Sequence, residues 1–175
     1  RSADIKLSGV KVSSKDELGP VGKASPLIRE VVDRANAATA AEAVGAMGEA
    51  YDVTLDYLKT RKQFGATIGS FQALQHRAVD VLVNLEQARS MAYYATMMAD
   101  NPNAEERTRT ISAAMVQMRR SGRFVGQQAV QLHGGTGVLS GSVVERLYRE
   151  IRPLRIYEGT SEIQRLVIAR ELLKS

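Results

Sequence analysis

Apolar positions recur at steps of three and four over most of the chain, the rhythm of helices that each bury one face. The rhythm begins at Ser25, placed to cap a helix with Pro26 at the first position, where no N–H is needed. An alanine-rich helix is predicted from there to about Arg61, with Val44, Met47, Tyr51, Leu55 and Leu58 on one face. Gly45 and Gly48 weaken it and suggest close approach by a neighbour or ligand. After the break at Phe64 to Gly69, Ser70 is expected to cap a second helix striped by Phe71, Leu74, Ala78, Val81, Leu85, Ala88, Ala92, Ala95 and Ala99. Beyond Asp100-Asn-Pro-Asn103, a third helix carries Ile111, Met115, Met118, Gly122, Val125, Ala129 and Leu132, and His133-Gly-Gly-Thr-Gly137 stops it. Ser142-Val-Val-Glu145 and Ser161-Glu-Ile-Gln164 read as capping boxes opening two shorter helices, to about Glu150 and about Leu173, with Arg152 to Tyr157 extended between them.

The first twenty-two residues differ. Ile5, Leu7, Val10 and Val12 alternate around Ser8-Gly9 and read as strand, turn, strand, followed by a loop. Two such strands make no stable sheet alone, so residues 1–22 are expected to be the remnant of a preceding β-domain and its linker. Residues 23–175 then form the main unit. The expected fold class is all-α, an antiparallel four-helix-bundle-like domain of three long and two short helices behind a short β tail.

Composition narrows the chemistry. The 175 residues are 44% hydrophobic and 25% charged, a globular balance with enough chain to bury a core. No apolar run is long enough to span a membrane. Absent cysteine rules out disulfides and thiol nucleophiles, and two histidines, His76 and His133, leave little for a metal site. Each histidine reads as structural. The net charge of +5 favours anionic partners without choosing among them, and the lack of Trp gives base stacking little to use. A basic nucleic-acid binder would rest on charge alone, so no nucleic-acid partner is expected. The chain opens Arg-Ser without an initiator Met, as a piece of a longer protein would.

Gly134 to Gly137 does not complete a dinucleotide fingerprint and follows a helix, so it reads as a helix stop; the alternative is backbone brought close to a phosphate or adenine. Arg146, Arg149, Arg152 and Arg155 repeat every third residue, a solvated face that could also meet an anion. Glu158 stands between an extended stretch and a helix start, beside Gly159. A carboxylate there can reach into a cleft, and the helix N-terminus offers free N–H groups. From position alone, the plainer reading of a carboxylate favoured by the helix dipole outweighs it.

Several motifs occur together in this chain: Arg61-Lys-Gln-Phe-Gly65, Ile68-Gly-Ser-Phe-Gln72, Gln131-Leu-His-Gly-Gly135, Val144-Glu-Arg-Leu-Tyr-Arg149, Ile156-Tyr-Glu-Gly-Thr-Ser-Glu-Ile-Gln-Arg165 and Ile168-Ala-Arg170. In order and spacing they resemble the C-terminal helical domain of acyl-CoA dehydrogenases, bacterial members in particular, over nearly the whole chain. The resemblance implies α,β-dehydrogenation of an acyl-CoA thioester with FAD, Glu158 taking the α-proton. It implies FAD contacts from Arg61, Phe64, Gln72, Gln131, Gly134 and Gly135 to a neighbouring subunit's flavin. Thr160 and Glu162 would contact the flavin beside Glu158. Asp33, Asn36, Tyr157 and Gly159 are the implied substrate-side residues. No metal is implied. A homodimer or homotetramer, with electron-transferring flavoprotein as acceptor and a bacterial cytoplasmic location, follows from the same likeness. A chain of this length alone is expected to fold and oligomerise, to bind FAD weakly and to be inactive.

The pattern departs from the family's in places. Some relatives carry the base on the first helix, where Ala35 stands here and cannot serve. Asn36 occupies the place of a frequent Arg, Val143 that of a Pro, and Thr136 and Val138 those of aromatics. Two alternatives stay open: a non-catalytic, FAD-contacting subunit of a hetero-oligomeric dehydrogenase, and an acyl-CoA oxidase.

Overall fold

A computed structural model describes residues 3–174. Five α-helices carry the fold: α1 (Ser25–Thr60), α2 (Gln72–Met98), α3 (Ala104–His133), α4 (Val143–Ile151) and α5 (Ser161–Leu172). This is the all-α arrangement of three long and two short helices that the periodicity predicts. The long helices pack on one another, α4 closes the bundle against α1 and α3, and α5 lies on α3. The core runs along the expected seams of α2 and α3, with Val81, Leu85, Ala88, Ala92, Met115, Met118, Val125 and Ala129 all buried. On α1 the expected Met47 and Leu58 are buried, but the rest of the buried line falls on smaller residues, Ala37, Ala40, Ala43, Ala50 and Thr54. Alanine brings the neighbouring backbones close, so Val44, Tyr51 and Leu55 end up only partly covered.

Several local expectations are corrected. Residues 4–12 form no strand, and Ile5, Leu7, Val10 and Val12 lie 61–85% exposed. With no third strand or helix to bury against, two short alternating runs stay unpaired. The strand pair that does form is β1 (Lys62–Gln63) with β2 (Ala66–Thr67), antiparallel around Phe64-Gly65. Arg152 to Tyr157 is not extended but turns through a 3-10 segment at Pro153–Arg155. Ser70 ends a 3-10 turn, donating to the Thr67 carbonyl, and Phe71 takes the N-cap of α2. Ser25 is the first residue of α1 rather than its cap. Ser142 is the N-cap of α4 but makes no side-chain capping bond, and Glu145 pairs with Arg149. The cap of α5 is Thr160, whose hydroxyl accepts from the Ile163 N–H. Among the described residues an added Cβ at Gly45 or Gly48 would meet nothing within 4 Å, whereas one at Gly69 or Gly137 would meet a backbone carbonyl at 2.7 or 2.6 Å. No helix among the described residues is long and apolar enough to cross a membrane, and no cluster of three potential metal ligands occurs among them.

Candidate functional site

Glu158 and Gly159 close the turn between α4 and α5 and line a cavity of about 540 Å³. Ile28, Val32, Asp33 and Asn36 of α1, Thr108 and Ser112 of α3, and Ile163 and Val167 of α5 supply its walls. The chain is left-handed at two successive residues here, with φ of 55° at Glu158 and 81° at Gly159. A non-glycine residue in that region is strained, and such strain persists only where the surroundings fix it. Three side-chain bonds fix it. Arg119 of α3, 2% exposed, donates from Nε to the Leu154 carbonyl at 2.9 Å and from Nη2 to the Tyr157 carbonyl at 3.1 Å. Gln164 donates to the Glu158 carbonyl at 2.8 Å. Sequence reasoning took Gln164 for a capping partner and passed over Arg119. The available signal was that Arg119 lies four residues after Met115, on the buried seam of α3.

The other residues of this cavity differ in what they have left to offer. Both bonds to Asp33 fall on Oδ2, from Arg107 Nε at 3.1 Å and the Thr108 hydroxyl at 2.7 Å, so Oδ1 is the oxygen left for a ligand. Asn36 Oδ1 is buried without a partner among the described residues. A ligand donor is what such an atom lacks. Tyr157 stands beside the cavity rather than in it, its phenol pushed above the ordinary value by burial and then by Glu42 and Glu158. Glu162 is exposed at the start of α5. Its carboxyl is held below the usual range by its own backbone N–H, then by the Thr160 hydroxyl, with Arg165 and Arg155 helping. Glu158 itself is exposed, so this chain does not exclude water from it.

A second group gathers at the far end of the bundle. Leu58, Ile68 and Leu132 pack together, joining the end of α1, the β1–β2 hairpin, the start of α2 and the end of α3. His133 stacks on Tyr57 at 4.3 Å, and its Nδ1 lies 2.8 Å from the Ala129 carbonyl, so it is structural. His76 is exposed on α2. This packing presents Arg61, Phe64, Gln72, Gln131, Gly134 and Gly135 to the surface. Phe64 is 91% exposed at a φ of 55°, edge-on to Phe71 at 6.3 Å. Phe64 and Glu158 are the two non-glycine residues of positive φ among those described. A bare aromatic ring, a guanidinium without an ion pair among the described residues, two amides and unobstructed glycine backbone fit a flat heteroaromatic group bearing phosphates.

The two groups are far apart. Arg61 lies 25 residues beyond Asn36 along α1, about 37 Å at 1.5 Å per residue. Gln131 lies 19 residues beyond Ser112 along α3, about 29 Å.

Residues 26–173 match the family model of the acyl-CoA dehydrogenase C-terminal domain. The chain is 39% identical over 175 residues to the probable acyl-CoA dehydrogenase YngJ of Bacillus subtilis, covering 99% of this chain and 45% of that protein. It is 35% identical over 173 residues to the caffeyl-CoA reductase–Etf complex subunit CarC of Acetobacterium woodii, again 99% of this chain and 45% of the relative. The solved glutaryl-coenzyme A dehydrogenase in complex with glutaryl-CoA superposes with a TM-score of 0.88 at 26% identity, over 95% of this chain and 42% of that one. The chain thus spans less than half the length of these relatives. Proteins of this group are FAD-dependent flavoproteins. The family match over residues 26–173 places the chain in the acyl-CoA dehydrogenase family, as its C-terminal domain.

Proposed function

We propose that this domain supplies the proton-abstracting residue and part of the FAD site of an enzyme that dehydrogenates an acyl-CoA thioester between its α and β carbons. The observation that carries the reading is Glu158, held in left-handed backbone by Arg119 and Gln164 at the mouth of a largely apolar cavity. A carboxylate presented there takes the α-proton of a thioester whose acyl chain lies along Ile28, Val32, Ile163 and Val167. The backbone N–H of Glu158 or a neighbour helps hold the thioester oxygen as charge gathers on it. FAD, when bound, accepts the β-hydride. Thr160 and Glu162 contact the flavin served by Glu158, while Arg61, Phe64, Gln72, Gln131, Gly134 and Gly135 contact that of a second subunit. The separation of these sets along α1 and α3 supports a dimer or tetramer in which each flavin is held by two chains. Electron-transferring flavoprotein is the proposed acceptor, in keeping with the Etf complex to which the Acetobacterium relative belongs. The bond from Arg107 and Thr108 to Asp33, with Asn36 uncharged, favours a second reading as a FAD-contacting subunit without chemistry of its own.

Glu158→Gln in a full-length parent protein separates the two. Loss of flavin bleaching by acyl-CoA, with flavin content unchanged, is expected. Bleaching at the parent rate would remove Glu158 from the role and leave the second reading.

A further inference from the structure

The arginines spaced by three from Arg146 do not share one fate. Arg146 and Arg149 pair with Glu150 and Glu145 on α4. Arg152 and Arg155 follow the helix, and glycine decides where they come to lie. An added Cβ at Gly122 of α3 would meet Ile151 Cγ2 at 2.9 Å, and one at Gly126 would meet the Tyr148 ring at 3.3 Å. Bare backbone at both positions lets α4 settle close on α3, which carries Arg152 and Arg155 to Arg123. These three arginines, with Gln127 and Tyr148, surround a cavity of about 390 Å³ that no carboxylate lines. It shares no lining residue with the Glu158 cavity.

Among the described residues, none of the three arginines has an ion-pair partner. Arg155 Nε is buried with no acceptor, and so is Nη1 of Arg119, one turn before Arg123 on α3. Burial lowers the proton affinity of Arg119, and Arg155 adds to the effect while Glu162 opposes it. Three guanidiniums around one cavity with no carboxylate among them repel one another, and an oxyanion between them supplies acceptors and relieves the repulsion. Planar guanidinium forks approaching from two sides suit a tetrahedral dianion better than a single carboxylate.

We propose that the Arg123–Arg152–Arg155 cavity is a binding site for a phosphoryl group, either free phosphate or the phosphate of a small phosphorylated molecule. The test is calorimetric titration of the full chain at low ionic strength with inorganic phosphate and with pyrophosphate, in the parent sequence and in Arg61→Gln. The Arg61→Gln background removes the contact proposed for flavin, so the two readings fail separately. Saturable binding that survives Arg61→Gln is expected, with Arg123→Gln and Arg155→Gln each weakening it at least tenfold and Arg155→Lys by less. Arg152→Gln, at an exposed position of the same cavity, repeats the test should Arg155→Gln not fold by circular dichroism. Saturation by inorganic phosphate marks a free-phosphate site, and saturation by pyrophosphate alone marks a phosphorylated ligand. Absence of saturable binding for both anions, binding unchanged in Arg123→Gln and Arg152→Gln, or binding lost with Arg61→Gln alone overturns the proposal.

Discussion

Asp33→Asn removes one charge from the bundle while leaving its shape. The Asp33 and Arg107 side chains are 5% and 8% exposed, and their 3.1 Å contact is the deeply buried ion pair of the described structure. Asp33 Oδ2 also accepts from the Thr108 hydroxyl at 2.7 Å. Removing one partner of such a pair costs about 3–5 kcal/mol, because the other charge stays buried. Two features place the cost near the lower end. Arg107 keeps its bond from Nη1 to the Asn101 carbonyl at 2.8 Å, and the substituted amide oxygen can still accept one of the two bonds that Oδ2 now takes. The expected loss is therefore about 3 kcal/mol, or about 6–12 °C in Tm for a chain of this size. Urea and thermal unfolding followed by circular dichroism measure it. Asp33→Leu with Arg107→Met replaces both charges by apolar groups and is expected to recover much of the loss, to within about 1–2 kcal/mol of the parent. A single-variant loss below about 0.5 kcal/mol, or a double-variant loss equal to the sum of its singles, would refute the argument that the pair is coupled and buried.

Two further outcomes follow from the packing. Arg119→Met removes two charge-assisted bonds to the turn that carries Glu158, each worth about 1.5–3 kcal/mol, offset in part by relief of a buried charge, for a net loss of about 2 kcal/mol. In a full-length parent, steady-state kinetics should show kcat falling more than KM rises, and Arg119→Lys should restore little, since an ammonium cannot span both carbonyls. Gly137→Ala should cost about 1–3 kcal/mol in urea unfolding, because the Val130 carbonyl stands 2.6 Å from the new Cβ. Gly45→Ala, with nothing within 4 Å, should gain about 0.5–1 kcal/mol; equal effects at the two positions would contradict the packing described.

What could be read from the sequence followed from how locally each feature is encoded. The seams of α2 and α3 were legible because Val81, Leu85, Met115, Met118 and Val125 are large and sit on one face. On α1 the hydrophobic scale pointed to Val44 and Tyr51, whereas burial followed Ala40, Ala43 and Ala50, since helices approach where side chains are small. The capping motifs located the starts of α4 and α5 but not their bonds. Glu145 went to Arg149, Gln164 went to the Glu158 carbonyl, and Thr160 took the cap. Sequence also could not separate Gly137, packed against Val130, from Gly45, whose added Cβ would meet nothing within 4 Å among the described residues. Nor could it give the left-handed turn at Glu158. Glutamate has no preference for that region, and two of the three bonds that impose it come from Arg119, 39 residues earlier in the chain, the third from Gln164.

The two strained positions point to a common logic. Phe64 holds an aromatic ring almost wholly in solvent, and Glu158 holds a carboxylate at a cavity mouth, each at a φ of 55°. Phe64 stands edge-on to Phe71 and is otherwise almost bare among the described residues. Strain of about 1–3 kcal/mol at each persists because rigid neighbours hold it: the β1–β2 hairpin at one end, Arg119 and Gln164 at the other. The ends are separated by about 37 Å of α1, a stiff rod with its Ala face locked into the bundle. On the proposed reading, a flavin engaged by Thr160 and Glu162 is met by Arg61 and Phe64 of a second chain. On that reading each chain keeps one strained element for its own active site and offers the other to a neighbour. The bundle then acts as a spacer that fixes the distance between two flavins.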